Sequence, residues 1–138
     1  MGWVNRLAGK TIALDTAPLI YFVEENSDFL KQINPFFNAL ERAEFAVLTS
    51  TLTITETLVK PLKLEKLEQA HAFMEILAEY MTVIPVTERI AEYAAKLRAK
   101  NNLRTPDAIQ VATAVTHQAD FFLTNDARLA RLKIKGLE

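Results

Sequence analysis

FAVLTSTLTITETLVK, residues 45–60, admits two readings, and the choice between them decides the fold. Read as strand to its end, the stretch places Leu52, Ile54, Glu56 and Leu58 on one face. A carboxylate would then lie among aliphatic side chains. Burying it costs far more than a leucine contributes, unless it is paired or meets a cation. Read as strand then helix, FAVLTS (45–50) is a short buried strand and Ser50 and Thr51 supply good N-cap chemistry. Ile54, Leu58 and Leu62 then form an i, i+4, i+8 stripe, with Leu52, Glu56 and Val59 on an adjacent one. No turn residue separates the two halves, which disfavours a second strand. The spacing therefore predicts a helix over 51–60, against the β preference of its four threonines. Glu56 keeps apolar neighbours in either case.

The rest of the chain extends the same alternation. TIALDT (11–16) is a short apolar run ending at Asp15, and APLIYFVEE follows at helical spacing with Pro18 in its first turn. Asp28 to Arg42 carries an inward stripe of Phe29, Ile33, Phe36, Phe37 and Leu40, with a kink or restart expected at Pro35. Residues 65–80 form an amphipathic helix with Leu67, Ala70, Phe73, Met74 and Leu77 inward. TVIPV (82–86) is a third short strand, whose Pro85 suggests an end or an edge. Thr87-Glu88 opens a helix to Lys100 with Ile90, Tyr93, Ala94 and Leu97 inward. TPDAIQVATAVTHQ (105–118) is a helix with Thr105 as N-cap and Pro106 first. FFLT (121–124) is a fourth strand, Asn125-Asp126 opens a short helix, and LKIKGLE (132–138) is a candidate last strand. Short apolar strands alternating with helices predict an α/β fold, a parallel sheet covered on both faces.

Composition narrows the class. A chain of 138 residues with 50% hydrophobic and 24% charged residues is expected to close one core as a single domain over 1–138. The absence of cysteine removes disulfides and thiolate zinc sites and accords with a cytoplasmic protein. No apolar run approaches the roughly 20 residues that span a bilayer, so no membrane partner is expected. The opening MGWVNRLAGKTIALD lacks the apolar region and cleavage site of a signal peptide. A net charge of −1 announces no global field for nucleic acid. A polyanion would have to be met by local patches or by bound metal.

Four acids fall where an open parallel sheet binds its ligands, beyond the carboxyl ends of the strands. Asp15 ends the first strand, and Asp126 follows the fourth by two residues. Glu56 lies about a turn into the helix after the second strand, and Asp107 in the first turn of the helix before the fourth. Each has a plain structural reading. Asp107 and Asp126 favour positive helix ends, worth roughly 0.3–1 kcal/mol; Asp15 can cap a helix; Glu56 becomes a surface residue if the register moves by one. Together they repel one another unless cations neutralise them. Hard oxygen donors suit Mg²⁺ or Mn²⁺. His71 and His117 lack paired ligand spacing, which disfavours zinc.

IALDTAPLIYF, TLTITETLVKPL, LRTPDAIQVATA and FLTNDARLARL resemble, in order and spacing, the four motif segments of PIN-domain ribonucleases, from about Thr11 to Leu132. The nearest resemblance is to single-domain VapC-like toxins of toxin–antitoxin pairs. It implies a three-layer α/β/α sandwich around a mostly parallel sheet. It implies metal-dependent endonucleolytic cleavage of RNA, with Asp15, Glu56, Asp107 and Asp126 as the acidic quartet that is both catalytic and metal-binding. Thr16, Thr124 and Asn125 become supporting polar residues. It also implies a small antitoxin partner and a homodimer, and it places Glu56 on a helix aimed into the metal pocket.

Arg104 and Arg128 flank Asp107 and Asp126 and are the preferred phosphate contacts. A recessed site would select single-stranded or looped RNA, whose nucleotides can splay. Two alternatives keep the fold and change the role: a binding module that does not cut, and a processing nuclease without a toxin role. A haloacid-dehalogenase-like phosphatase needs a second Asp where this chain has Ala17. A receiver domain needs adjacent acids near the first strand and a late Lys after a strand, both missing here.

Overall fold

The computed structural model describes residues 2–130, Leu132 and Leu137. A 3-10 helix over Gly2–Leu7 precedes β1 (Thr11–Leu14) and α1 (Thr16–Val23). Then come α2 (Leu30–Glu41), β2 (Ala46–Ser50), α3 (Thr51–Lys63), α4 (Leu67–Tyr80) and β3 (Thr82–Ile84). α5 (Glu88–Lys100), α6 (Thr105–Thr116), β4 (Phe121–Leu123) and α7 (Ala127–Ala130) follow. The strands form one sheet in the order β3-β2-β1-β4, and every pair is parallel. All four carboxyl ends therefore lie at one edge. The expected last strand over 132–138 falls mostly outside the described residues.

Side chains alternate across β1, and that alternation divides the core. Ile12 and Leu14 join the apolar cluster that holds Leu19 of α1, Phe36 and Phe37 of α2, and Phe73 and Leu77 of α4. Ala13 points the other way, onto Ala114 of α6 and Leu48 of β2. Ile90, Ala94, Val111 and Leu129 carry the second layer outward through α5, α6 and α7. The result is the expected α/β/α sandwich. Small residues on both sides of the β1–α6 contact let this helix approach the sheet closely. No helix among the described residues is long and apolar enough to cross a membrane.

Residues 45–63 resolve as strand, then helix, with no intervening turn. Ser50 is the hinge, with φ −101° and ψ 165°, and its hydroxyl accepts the Leu52 N–H at 3.2 Å while donating to Gln110 Oε1 at 2.9 Å. Ser50→Ala removes the cap and leaves a buried amide oxygen unpaired. A loss of about 1–3 kcal/mol is expected in urea denaturation; a loss below about 0.5 kcal/mol would contradict the pairing.

The expected inward stripe of this helix is corrected. Thr53, Thr57 and Pro61 form its buried row, while Val59 and Leu62 are exposed. The threonines bury because their hydroxyls are satisfied: Thr53 pairs with Thr49, and Thr57 donates to the Thr53 carbonyl oxygen at 2.8 Å. Ile54 and Leu58 still pack against the core. In α4, Ala70, Phe73 and Leu77 point inward as expected, but Leu67 and Met74 are exposed.

Three boundaries also differ. The second helix begins at Leu30, after a turn. It runs through Pro35 unbroken, because Ile33, Phe36, Phe37 and Leu40 are buried on both sides of the proline and outweigh its cost of about 3 kcal/mol. Arg104, not Thr105, is the N-cap of α6: its carbonyl accepts the first helical bond from Ala108 N at 3.0 Å. The Thr105 hydroxyl is taken instead by Arg98 Nη1 at 2.9 Å.

Four helices end on a left-handed residue that is not glycine: Glu25, Ala43, Glu65 and Gln118, with φ between 53° and 56°. After α1, Asn26 N–H reaches Tyr21 O and Glu25 N–H reaches Phe22 O, the paired bonds of a Schellman ending. The same pairs recur after α2, α3 and α6.

Candidate functional site

The turn from β1 into α1 places the first acid. Asp15 keeps extended backbone, φ −72° and ψ 162°, and its N–H donates to Leu123 O of β4 at 3.0 Å. Its Oδ1 accepts the Thr16 N–H at 2.9 Å and its Oδ2 accepts the Thr124 hydroxyl at 2.8 Å. Burial nonetheless pushes the carboxyl above its ordinary range, outweighing those two donors. The charges of Asp107 and Glu56 push it the same way.

Glu56 projects from the second turn of α3, and its Oε1 accepts the Thr16 hydroxyl at 2.6 Å. Asp107 sits in the first turn of α6 and is 7% exposed. Both its oxygens accept from the Arg104 guanidinium, Nε to Oδ2 at 3.1 Å and Nη2 to Oδ1 at 3.3 Å. Asp126 caps α7 through the Arg128 N–H at 2.8 Å and is gripped by the Arg128 guanidinium, Nη2 to Oδ2 at 2.9 Å. That contact holds the Asp126 carboxyl below its ordinary value. Capping and site geometry thus coexist in Asp15 and Asp126.

Asp15, Thr16, Glu56, Arg104, Asp107, Asn125 and Asp126 line one open cavity of about 650 Å³, together with Ile20, Tyr21, Pro106 and Gln110. Thr124 lies behind the lining, where its hydroxyl donates to Asp15 and accepts from Asp126 N–H at 3.0 Å. Arg128 stands outside the lining on Asp126. Asn125 Nδ2 donates to Tyr21 Oη at 3.2 Å, and Tyr21 stacks on Phe29 with centroids 4.3 Å apart. Phe22 stacks on Phe37 in the core. The histidines take no part: His71 pairs with Glu75 along α4, and His117 contacts its neighbour Thr116.

The donor set consists of carboxylate and hydroxyl oxygens, with neither sulfur nor imidazole, and that chemistry matches a hard divalent cation. As the side chains stand, no three acidic or imidazole groups among the described residues grip a single point. The Arg104 and Arg128 guanidiniums each span both oxygens of their acid.

Sequence reasoning missed Gln110. It occupies the floor of the cavity at 3% exposure and bonds to Ser50, Thr16 and Thr53. The signal was present: one amide in the otherwise apolar run AIQVA, the same anomaly that singled out Glu56.

A family model for the PIN domain matches residues 12–135. Among solved structures, the chain is similar to VapBC2 from Rickettsia felis bound to a DNA fragment from their promoter, at TM-score 0.70 and 20% identity, covering 93% of this chain and 97% of that one. A toxin–antitoxin complex from Klebsiella pneumoniae is similar at TM-score 0.67 and 27% identity, over 92% and 95% of the two chains. VapC20 of Mycobacterium tuberculosis, described as a sarcin–ricin loop cleaving toxin, is similar at TM-score 0.69 and 18% identity, over 86% and 92%. No protein of curated function matches the sequence.

Proposed function

The chain belongs to the PIN-domain family, and from that premise we propose that it is a divalent-metal-dependent endoribonuclease acting as the toxin of a toxin–antitoxin pair. The observation that carries this reading is the meeting of Asp15, Glu56, Asp107 and Asp126 in one cavity, from four separate parts of the chain. Nothing in packing requires four like charges there. The toxin role and the antitoxin partner rest on the likeness to the Rickettsia and Klebsiella complexes, and RNA as substrate on the VapC20 likeness. A homodimer in the cytoplasm accompanies the same reading.

Asp15, Glu56, Asp107 and Asp126 would hold Mg²⁺ or Mn²⁺. Such an ion, when bound, supplies a water of lowered pKa and neutralises developing phosphate charge. The chain's own groups prepare the site. Thr124 and Thr16 N–H fix both oxygens of Asp15, and the Thr16 hydroxyl aims Glu56. Arg104 and Arg128 stand mostly in solvent at the rim, with side chains 70% and 64% exposed. Released from their acids, they present bidentate donors to phosphate oxygens. Single-stranded or looped RNA, whose nucleotides can splay, is the favoured substrate.

The wild-type protein is expected to cleave single-stranded RNA with Mg²⁺ or Mn²⁺, to lose this activity in EDTA and to regain it when metal is restored. Its expression is expected to arrest growth, and Asp107→Asn to relieve the arrest. RNA cleavage without growth arrest would leave a processing nuclease in place of the toxin. No cleavage by the metal-loaded protein would leave a binding module.

A further inference from the structure

The polar groups beneath the cavity are arranged in one direction. Thr49 Oγ1 gives its proton to Leu14 O at 2.9 Å, so the 2.7 Å contact between Thr49 and Thr53 uses the Thr53 proton. Thr16 gives its own proton to Glu56 Oε1. Both hydroxyls therefore offer only lone pairs to Gln110, whose Nε2 donates to Thr53 Oγ1 at 2.9 Å and to Thr16 Oγ1 at 3.2 Å. On the other side, Gln110 Oε1 accepts from Ser50, whose oxygen is already engaged by Leu52 N–H. Turning the amide over would set its oxygen against two hydroxyls without a spare proton. Only the observed orientation satisfies every group.

Gln110 and the two hydroxyls that accept from its Nε2 each stand beside an acid. Gln110 is one turn after Asp107 on α6, Thr53 one turn before Glu56 on α3, and Thr16 directly follows Asp15. We propose that Gln110 is a positioning residue: its amide sets the spacing of Asp15, Glu56 and Asp107 and aims the Thr16 hydroxyl at Glu56. This rests on the metal-dependent reading above. Buried groups that hold metal-binding side chains in place typically alter affinity or activity by about 10–100-fold when removed.

The test is calorimetric titration of the metal-free protein with Mn²⁺ alone, beside steady-state cleavage of single-stranded RNA. Gln110→Met keeps the length of the side chain and removes its hydrogen bonds; Thr53→Val removes the same link from the α3 side. Each is expected to weaken Mn²⁺ binding by about 10–100-fold and to lower kcat with KM for RNA unchanged. The double variant is expected to lose little more than either alone, because both break one network. Thr113→Val is the control: it is equally buried on the same helix, and its hydroxyl donates to Ile109 O, away from the acids. It is expected to leave Mn²⁺ affinity unchanged. Folded Gln110→Met or Thr53→Val that titrates like wild type overturns the proposal, and either variant decides if the other does not fold. Equal weakening by Thr113→Val also overturns it, as general loosening of α6. Wild type that takes up no Mn²⁺ overturns the metal-dependent reading itself.

Discussion

Asp15→Asn is expected to lower metal-dependent RNA cleavage by roughly a thousandfold while leaving the protein folded. A bound ion contributes several kcal/mol of charge stabilisation, and about 1.4 kcal/mol corresponds to each tenfold in rate. Asp15 sits at the carboxyl end of a central strand, feels both Asp107 and Glu56, and has each oxygen fixed by a donor. The amide preserves its size and one acceptor. Mn²⁺ at about a hundred times its Kd is expected to stabilise wild type by about 2.7 kcal/mol and the variant much less. Cleavage by Asp15→Asn at the wild-type rate would assign the activity to a contaminant.

The same substitution carries a pH signature in the metal-free protein. Burial raises the folded-state pKa of Asp15 above 3.8, so the folded state holds this proton more tightly than the unfolded state. Its contribution to stability is fully present below 3.8 and is lost as pH rises through the raised folded value. At neutral pH the ionised Asp15 therefore contributes less stability than the protonated group does in acid, a change the variant lacks. The difference in melting temperature, variant minus wild type, is expected to be greater at neutral pH than below 3.8. Asp126 runs the opposite way, its lowered pKa giving stability that is lost as pH falls, but it is common to both proteins and cancels. A difference that shrinks as pH rises would contradict the burial of Asp15.

The second large effect lies in the core. Phe36→Ala is expected to destabilise the protein by about 3–5 kcal/mol, a large share of the 5–15 kcal/mol typical of a domain. Phe36 is fully buried, meets Phe37 edge-on at 5.2 Å and Phe45 at 4.9 Å, and stacks beneath Trp3 at 6.1 Å. The aromatic ring leaves a cavity that three neighbouring rings cannot collapse to fill. A fall in melting temperature on the order of 10–20 °C follows for a chain of this length. Leu67→Ala is the contrast. Its sequence periodicity is as persuasive as that of Phe36, but Leu67 is 68% exposed, and a change within about 0.5 kcal/mol is expected. Comparable losses from both would place Leu67 in an interface or in the core.

The alternation of short apolar runs with helical periodicity was enough to read a parallel α/β sandwich, because both signals are local. The four acids were legible for a related reason. Strand ends can be located from composition, and in a parallel sheet every strand end reaches the same edge. Helix ends were harder, because Ala43, Glu65 and Gln118 adopt the left-handed conformation without the glycine that normally marks it.

Local pattern could not choose the inward face of α3. Apolar periodicity favours Ile54, Leu58 and Leu62, whereas the fold buries Thr53 and Thr57 because Thr49 and Gln110 satisfy the Thr53 hydroxyl. Thr16 and Gln110 are 94 residues apart, and no window along the chain contains both. The sequence alone thus determined the order of elements and the edge where the acids gather. Tertiary structure alone decided which buried amide holds the acids apart and which hydroxyls satisfy it, because a polar group is stable inside only when partners from distant segments arrive to meet it.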